Sequence, residues 1–292
     1  MKKQAATKHR KWRYCLILLV VGSVIGVWGL PRIHAIYQIQ QANNLVRSGE
    51  YRRAIALYEQ GLTLFPNSAS IWLNQGFAFA QVQRFQDQLQ ACNQALELEP
   101  EFVEALNCKA LALDALDRNE AALNVFQELL LLKPDFHQAW NNKGEVLIEL
   151  DRFQEALATL TIARKHKPDY VFAWNNSGNA LFELKRYSEA VEAYQKALDI
   201  DPTYPYAWNG RGNALRMMKE YQEALLHYNA AVAVNPDFYE AWYNKGLTLM
   251  AMNQKEEALA AFDTAVDIKA DYSAAIQRRE ELQKNQSESL RF

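Results

Sequence analysis

The sequence predicts an all-α chain: one transmembrane helix, then an α-solenoid of seven helix pairs and a closing helix. Three observations carry this. An uncharged apolar run follows a basic start, prolines recur with a fixed step of 34 residues, and between the prolines apolar residues fall at helical spacing.

From Tyr14 to Leu30 the chain reads YCLILLVVGSVIGVWGL, with Pro31 and Arg32 directly behind it. At about 1.5 Å per residue such a helix covers roughly 25 Å, close to the hydrocarbon thickness of about 30 Å. Trp12, Tyr14 and Trp28 stand near its ends, where amphipathic rings favour the headgroup level. A cleaved leader shares this layout, but its best cleavage point, after Ala35, lacks a small residue two places earlier. Lys2, Lys3, Lys8, Arg10, Lys11 and Arg13 precede the run and Arg32 alone closely follows it. The positive-inside rule therefore places the N-terminus in the cytoplasm and the remaining chain on the extracytoplasmic side, periplasmic or lumenal.

The prolines are Pro66, Pro100, Pro134, Pro168, Pro202 and Pro236, and Ala270 stands at the next rung. Trp72, Trp140, Trp174, Trp208 and Trp242 keep the same step, as do Gly76, Gly144, Gly178, Gly212 and Gly246, and Ala54, Ala122, Ala156, Ala190, Ala224 and Ala258. Within residues 171–204, Trp174, Leu181 and Phe182 form one apolar face, and Tyr187, Val191, Tyr194, Ala197 and Leu198 a second. Two antiparallel helices are expected, with Gly178 and Ala190 letting their backbones approach and Pro202 ending the second. A lone pair cannot bury both faces, so neighbours must stack.

Through AWNNKGEVL, AWNNSGNAL, AWNGRGNAL and AWYNKGLTL the chain resembles the tetratricopeptide-repeat family. The resemblance implies a right-handed α-solenoid whose first helices line a concave groove. With the basic flank at 1–13 and the span at 14–30 ahead of it, the repeat register gives units at 35–68 (a cap-like one), 69–102, 103–136, 137–170, 171–204, 205–238 and 239–272. A closing helix at 273–284 and a frayed tail at 285–292 complete the register. Gln88 in place of Ala and Leu106 in place of Trp mark the least regular units.

No catalytic constellation is present. His9, His34, His137, His166 and His227 show no HExxH spacing, and there is no GxSxG and no Gly-rich loop after a strand. Cys15, Cys92 and Cys108 lack metal-ligand spacing and read as small apolar side chains; a Cys92–Cys108 bridge would require an oxidising compartment. No enzyme, cofactor or metal is expected. Nor is nucleic acid: seven of the 32 basic residues lie in the first 34 positions, leaving 25 against 34 acidic ones.

The binding candidates are asparagines at recurrent positions of the first helices: Asn74, Asn142, Asn176 and Asn244; Asn107, Asn141, Asn175 and Asn209; and Asn43, Asn179 and Asn213. An amide both donates and accepts, so such a column suits an extended peptide backbone. The other reading is hydrogen bonding between the protein's own helices. Similar columns hold peptide main chains in the family. Its two-carboxylate clamp needs Lys and Arg where Asn107, Asn141 and Gly210 stand, so carboxylate-tail recognition is disfavoured. Phe102, Phe136, Tyr170, Tyr204, Phe238 and Tyr272 form a second ladder, suited to stapling each entering helix. The basic run Arg164, Lys165, His166 and Lys167 suits a helix C-terminus. The expected function is a membrane-anchored adaptor or assembly factor that binds proteins or extended peptide segments. The layout resembles that of assembly factors of photosynthetic membranes; a structural subunit of a cell-envelope or secretion complex is the alternative.

Overall fold

A computed structural model describes residues 31–289. The basic flank and the predicted span at 14–30 lie outside the described residues; among those described, no helix is long and apolar enough to cross a membrane. They are all-helical and divide into two compact units, one ending at Leu132 and the other beginning at Lys133.

The first unit holds α1 (31–47), α2 (Tyr51–Leu64), α3 (Ala69–Gln81), α4 (Phe85–Leu98), α5 (Val103–Asp114) and α6 (Asn119–Leu132). The second holds α7 (His137–Glu149), α8 (Phe153–His166), α9 (Val171–Glu183), α10 (Tyr187–Ile200) and α11 (Pro205–Met217). It continues with α12 (Tyr221–Val234), α13 (Tyr239–Ala251), α14 (Lys255–Ile268) and α15 (Ser273–Ser289), the last running past residue 284, where the sequence placed its end. Inside each unit every helix packs against the next, and first helices of successive pairs also touch, α7 with α9 and α9 with α11.

The turn between paired helices depends on one residue in the left-handed region. Gln83, Asp117, Asp151, Lys185, Lys219 and Asn253 all have φ between 56° and 66°, and Gly49 has φ 80°. At Lys185 the next amide, Arg186 N–H, donates back to the Leu181 carbonyl at 2.9 Å, closing the helix end.

The return loop is held by the Trp and Pro ladders acting together. The indole N–H of Trp72, Trp140, Trp174 and Trp208 donates to the carbonyl of the proline six residues earlier at 2.8 Å, and Trp242 does so at 2.9 Å. The bond ties each loop carbonyl to the helix that follows it. With Leu106 in place of Trp, the loop at Pro100 has no such donor in its own repeat.

The glycine ladder has a different cause from the one the sequence suggested. Gly178 makes room for a ring, not for a neighbouring backbone: a Cβ there would lie 2.6 Å from Tyr194 Cε1. Gly144, Gly212 and Gly246 face Leu160, Tyr228 and Phe262 in the same way. These plugs belong to one recurrent position, Tyr58, Cys92, Phe126, Leu160, Tyr194, Tyr228 and Phe262, and each is buried. Around them Ala190, Ala197, Ala207 and Ala214 are fully buried and let α9, α10 and α11 close up.

The cysteine reading needs correction. Cys92 on α4 and Cys108 on α5 form a disulfide with a Cα–Cα separation of 5.9 Å across a sequence separation of 16. Cys92 fills the plug position opposite Gly76, and Cys108 stands where other first helices carry the asparagine of Asn74. The short side chains leave space in which the two sulfurs meet. Gln88, buried in place of Ala, donates to the Cys108 carbonyl at 3.2 Å and so remains satisfied.

Candidate functional site: the asparagine groove

In the second unit α7, α9, α11 and α13 present the asparagines in ladders. Asn176 Nδ2 donates to Asn141 Oδ1 at 3.2 Å, and Asn244 Nδ2 to Asn209 Oδ1 at 3.0 Å, each reaching back one repeat. Asn141 Nδ2 donates to Asn142 Oδ1, and Asn175 Nδ2 and Asn179 Nδ2 both donate to Asn176 Oδ1, at 3.4 to 3.5 Å. Asn141 and Asn175 are 3% and 5% exposed, whereas Asn142, Asn176, Asn179, Asn209, Asn213 and Asn244 are half-buried. Several amides thus tie helix to helix, and the half-buried ones keep a face towards solvent.

The third set has its own reason. Tyr194 O–H donates to Asn179 Oδ1 and Tyr228 O–H to Asn213 Oδ1, both at 2.8 Å. In the first unit Tyr58 O–H donates to Asn43 Oδ1 at 2.6 Å. Where the plug is Cys92, Phe126, Leu160 or Phe262, the matching position is Phe77, Leu111, Glu145 or Leu247. Asparagine occupies that position only where a plug hydroxyl must be satisfied. Burial pushes the hydroxyls of Tyr58 and Tyr228 up to about 12, so they stay donors at neutral pH. This pairing is legible as two co-varying ladders 15 residues apart, a signal the reading by single ladders passed over.

In the first unit Asn74 Nδ2 donates to Asn43 Oδ1 at 3.4 Å, and Asn107 Oδ1 is buried without a partner. The ladder there is interrupted by Cys108.

A cavity of about 370 Å³ opens among α7, α9, α10 and α11. Asn175, Asn179, Asn209, Asn213, Phe182 and Tyr206 are among the residues lining it, so four of the sequence candidates share one concavity. Acidic groups border these helices. The Glu145 carboxyl is held above the usual carboxylate range by burial and by Glu149, against a hydrogen bond with Asn176, and Glu183 lines the cavity itself.

The aromatic ladder stands at the entrance of the first helices, with Phe102, Phe136, Tyr170, Tyr204 and Phe238 each the residue before a helix. In the second unit the rings form an edge-to-face and tilted chain, His137, Tyr170, Phe172, Tyr204, Tyr206 and Phe238, with centroids 4.8 to 5.7 Å apart. Phe172 and Tyr206 keep 44% and 55% of their surface exposed. Of the basic run, Arg164 stacks over the Trp174 ring at 4.3 Å, so its cation is partly used internally. Among the described residues no group of three or more His, Cys, Asp or Glu is placed to hold a metal.

Stacked helix pairs of fixed length, with a recurrent indole latch and an amide-lined concavity, define a helical-repeat protein that presents a surface to other molecules. Family models described as tetratricopeptide repeat match residues 39–101 and 109–164, and again 205–238 and 239–272; a model described as TPR repeat matches 178–219. The chain belongs to the tetratricopeptide-repeat family, whose members are in general protein-binding scaffolds and not enzymes. Over 85 residues it is 32% identical to the mitochondrial import receptor subunit TOM70 of Homo sapiens, a match of 27% of this chain and 14% of that protein. The chain thus spans about one seventh of the length of that curated relative. A tetratricopeptide repeat protein from Parabacteroides merdae superposes with a TM-score of 0.70 at 17% identity, covering 85% of this chain and 98% of the other. YrrB, described as having an unusual peptide-binding site, gives 0.50 at 23% identity over 66% and 99%. These likenesses show the fold.

Proposed function

We propose that this chain is a membrane-anchored adaptor or assembly factor that holds an extended segment of a partner protein against the asparagine face of its second unit. The observation that carries this is the concavity shared by buried Asn175 and half-buried Asn179, Asn209 and Asn213, which the rings of Phe182 and Tyr206 also line. Amides serve the backbone of an extended partner and rings serve its side chains. Asn142, Asn176 and Asn244 continue this face along the first helices, and in the first unit Asn74 and Asn107 occupy the matching positions. The names of two similar proteins, an import receptor subunit and a protein with a peptide-binding site, agree with such a role. Anchoring rests on the uncharged run at 14–30, and the extracytoplasmic placement on the basic residues ahead of it.

A photo-cross-linking residue at Tyr206, which lines the cavity, is compared in intact membranes with one at Leu226 on α12, which does not. Discrete adducts at Tyr206 and none at Leu226 are expected, and mass spectrometry of the adduct returns the partner. The reverse pattern sinks the groove assignment. Carbonate-washed membranes should retain the full chain and release one that begins at residue 31; release of both would refute the anchor.

A further inference from the structure

The amide ladder of the second unit has closed rungs on either side of an open one. Asn176 reaches Asn141 and Asn244 reaches Asn209, but the rung between them would need a carboxamide at 210, where the chain has Gly210. Tyr194 explains the glycine, since a Cβ at 210 would lie 2.5 Å from its ring. The result is that Asn175 Oδ1, the acceptor of the missing rung, is buried with no hydrogen-bond partner. An unsatisfied buried acceptor is a deficit that a ligand donor can remove.

The cavity opens at this rung. Asn175, Gly210, Asn209, Phe182, Tyr206 and Glu183 lie around it. Its surroundings offer an orphan acceptor, a carboxylate on an exposed residue and two aromatic faces. Glu145 and Glu149 add negative charge on the neighbouring α7. A guanidinium answers this set better than other side chains: it only donates, it is planar, and it stacks on rings. An ammonium has the charge without the planar face, and a carboxylate would meet like charge.

We propose that the open rung at Gly210 binds the guanidinium of an arginine carried by the extended partner segment, its N–H groups donating to Asn175 Oδ1 and to Glu183 while its plane lies against Tyr206 and Phe182. This rests on the groove reading and names its chemical specificity.

The test uses the full-length chain and an immobilised library of extended peptides in which one position is fixed as each residue in turn and the others are randomised. Arginine should be enriched. The selected peptide, labelled with fluorescein, is then titrated by anisotropy against the native chain and Glu183→Gln, a change at an exposed position that leaves the helical circular-dichroism signal intact. Loss of one charge-assisted hydrogen bond should weaken binding roughly fivefold to twentyfold. Replacing the peptide arginine by glutamate should abolish binding, and by lysine should weaken it less. Enrichment of acidic or purely apolar residues, or equal binding by Glu183→Gln, overturns the arginine assignment and leaves the groove reading standing. Binding by no member overturns the assignment too; joined to an absence of Tyr206 adducts, it removes the groove reading as well.

Discussion

The two units are written on one 34-residue template and stabilise it differently. In the second unit the indole latch is present at Trp140, Trp174, Trp208 and Trp242, the plugs are Leu160, Tyr194, Tyr228 and Phe262, and the asparagines hydrogen-bond from repeat to repeat. In the first, Leu106 removes one latch, Gln88 replaces a buried alanine and Cys108 interrupts the asparagines. There a covalent bond, Cys92–Cys108, joins α4 to α5 where the second unit uses ring packing and amides. A repeat tolerates loss of its recurrent residues when another cross-link occupies the same place.

The largest effect separating the units should come from Tyr228→Ala, which empties a fully buried plug beside Gly212 and strands Asn213. A loss of about 3 to 5 kcal/mol is expected in urea unfolding; a loss near zero would mean that the plug does not carry the second unit. Reduction with dithiothreitol should act on the first unit alone. Opening a loop of 16 residues should cost roughly 3 kcal/mol, read as a lowered melting temperature that Cys92→Ala plus Cys108→Ala reproduces. An unchanged melt on reduction would break the comparison.

Next comes a pH effect confined to the second unit. Burial, and behind it Arg211, lowers His227 from an ordinary value of 6.5 to about 4. Between those values the unfolded chain binds a proton that the folded chain refuses. Stability is therefore full above pH 6.5 and falls as the pH drops towards 4, by on the order of 2 kcal/mol for this half-buried ring stacked on Trp208. His227→Gln should flatten that part of the profile, and identical slopes for both chains would refute the assignment.

The smallest effect should be shared. Asp117→Gly in one unit and Asp151→Gly in the other both relieve a left-handed residue, and each should raise stability by up to about 1 kcal/mol. Unequal gains would show that the turns, like the cross-links, differ between units.

Much of this is legible in the sequence. Pro66 to Pro236 located the turns, Trp174 and its equivalents located the first helices, and the candidate asparagines fell on those helices. What was misread shares one cause: it depended on what a side chain meets across a helix pair. Gly178 looked like a point of backbone approach until Tyr194 was found lying over it. Cys92 and Cys108 looked like small apolar fillers until α4 and α5 brought them together. Asn179 and Asn213 stay candidate groove residues, and only the packing shows that each also accepts from a tyrosine hydroxyl.

The sequence by itself determined the period, the helical class, the order of first and second helices and the absence of recognisable catalytic motifs, because these follow from local propensity and from recurrence along the chain. The tertiary structure alone decided which asparagines are spent internally and which rung stays open. That outcome depends on partners 15 or 35 residues away, on the girth of the plug at each repeat, and on the ring of Tyr194 taking the space that a carboxamide at Gly210 would need.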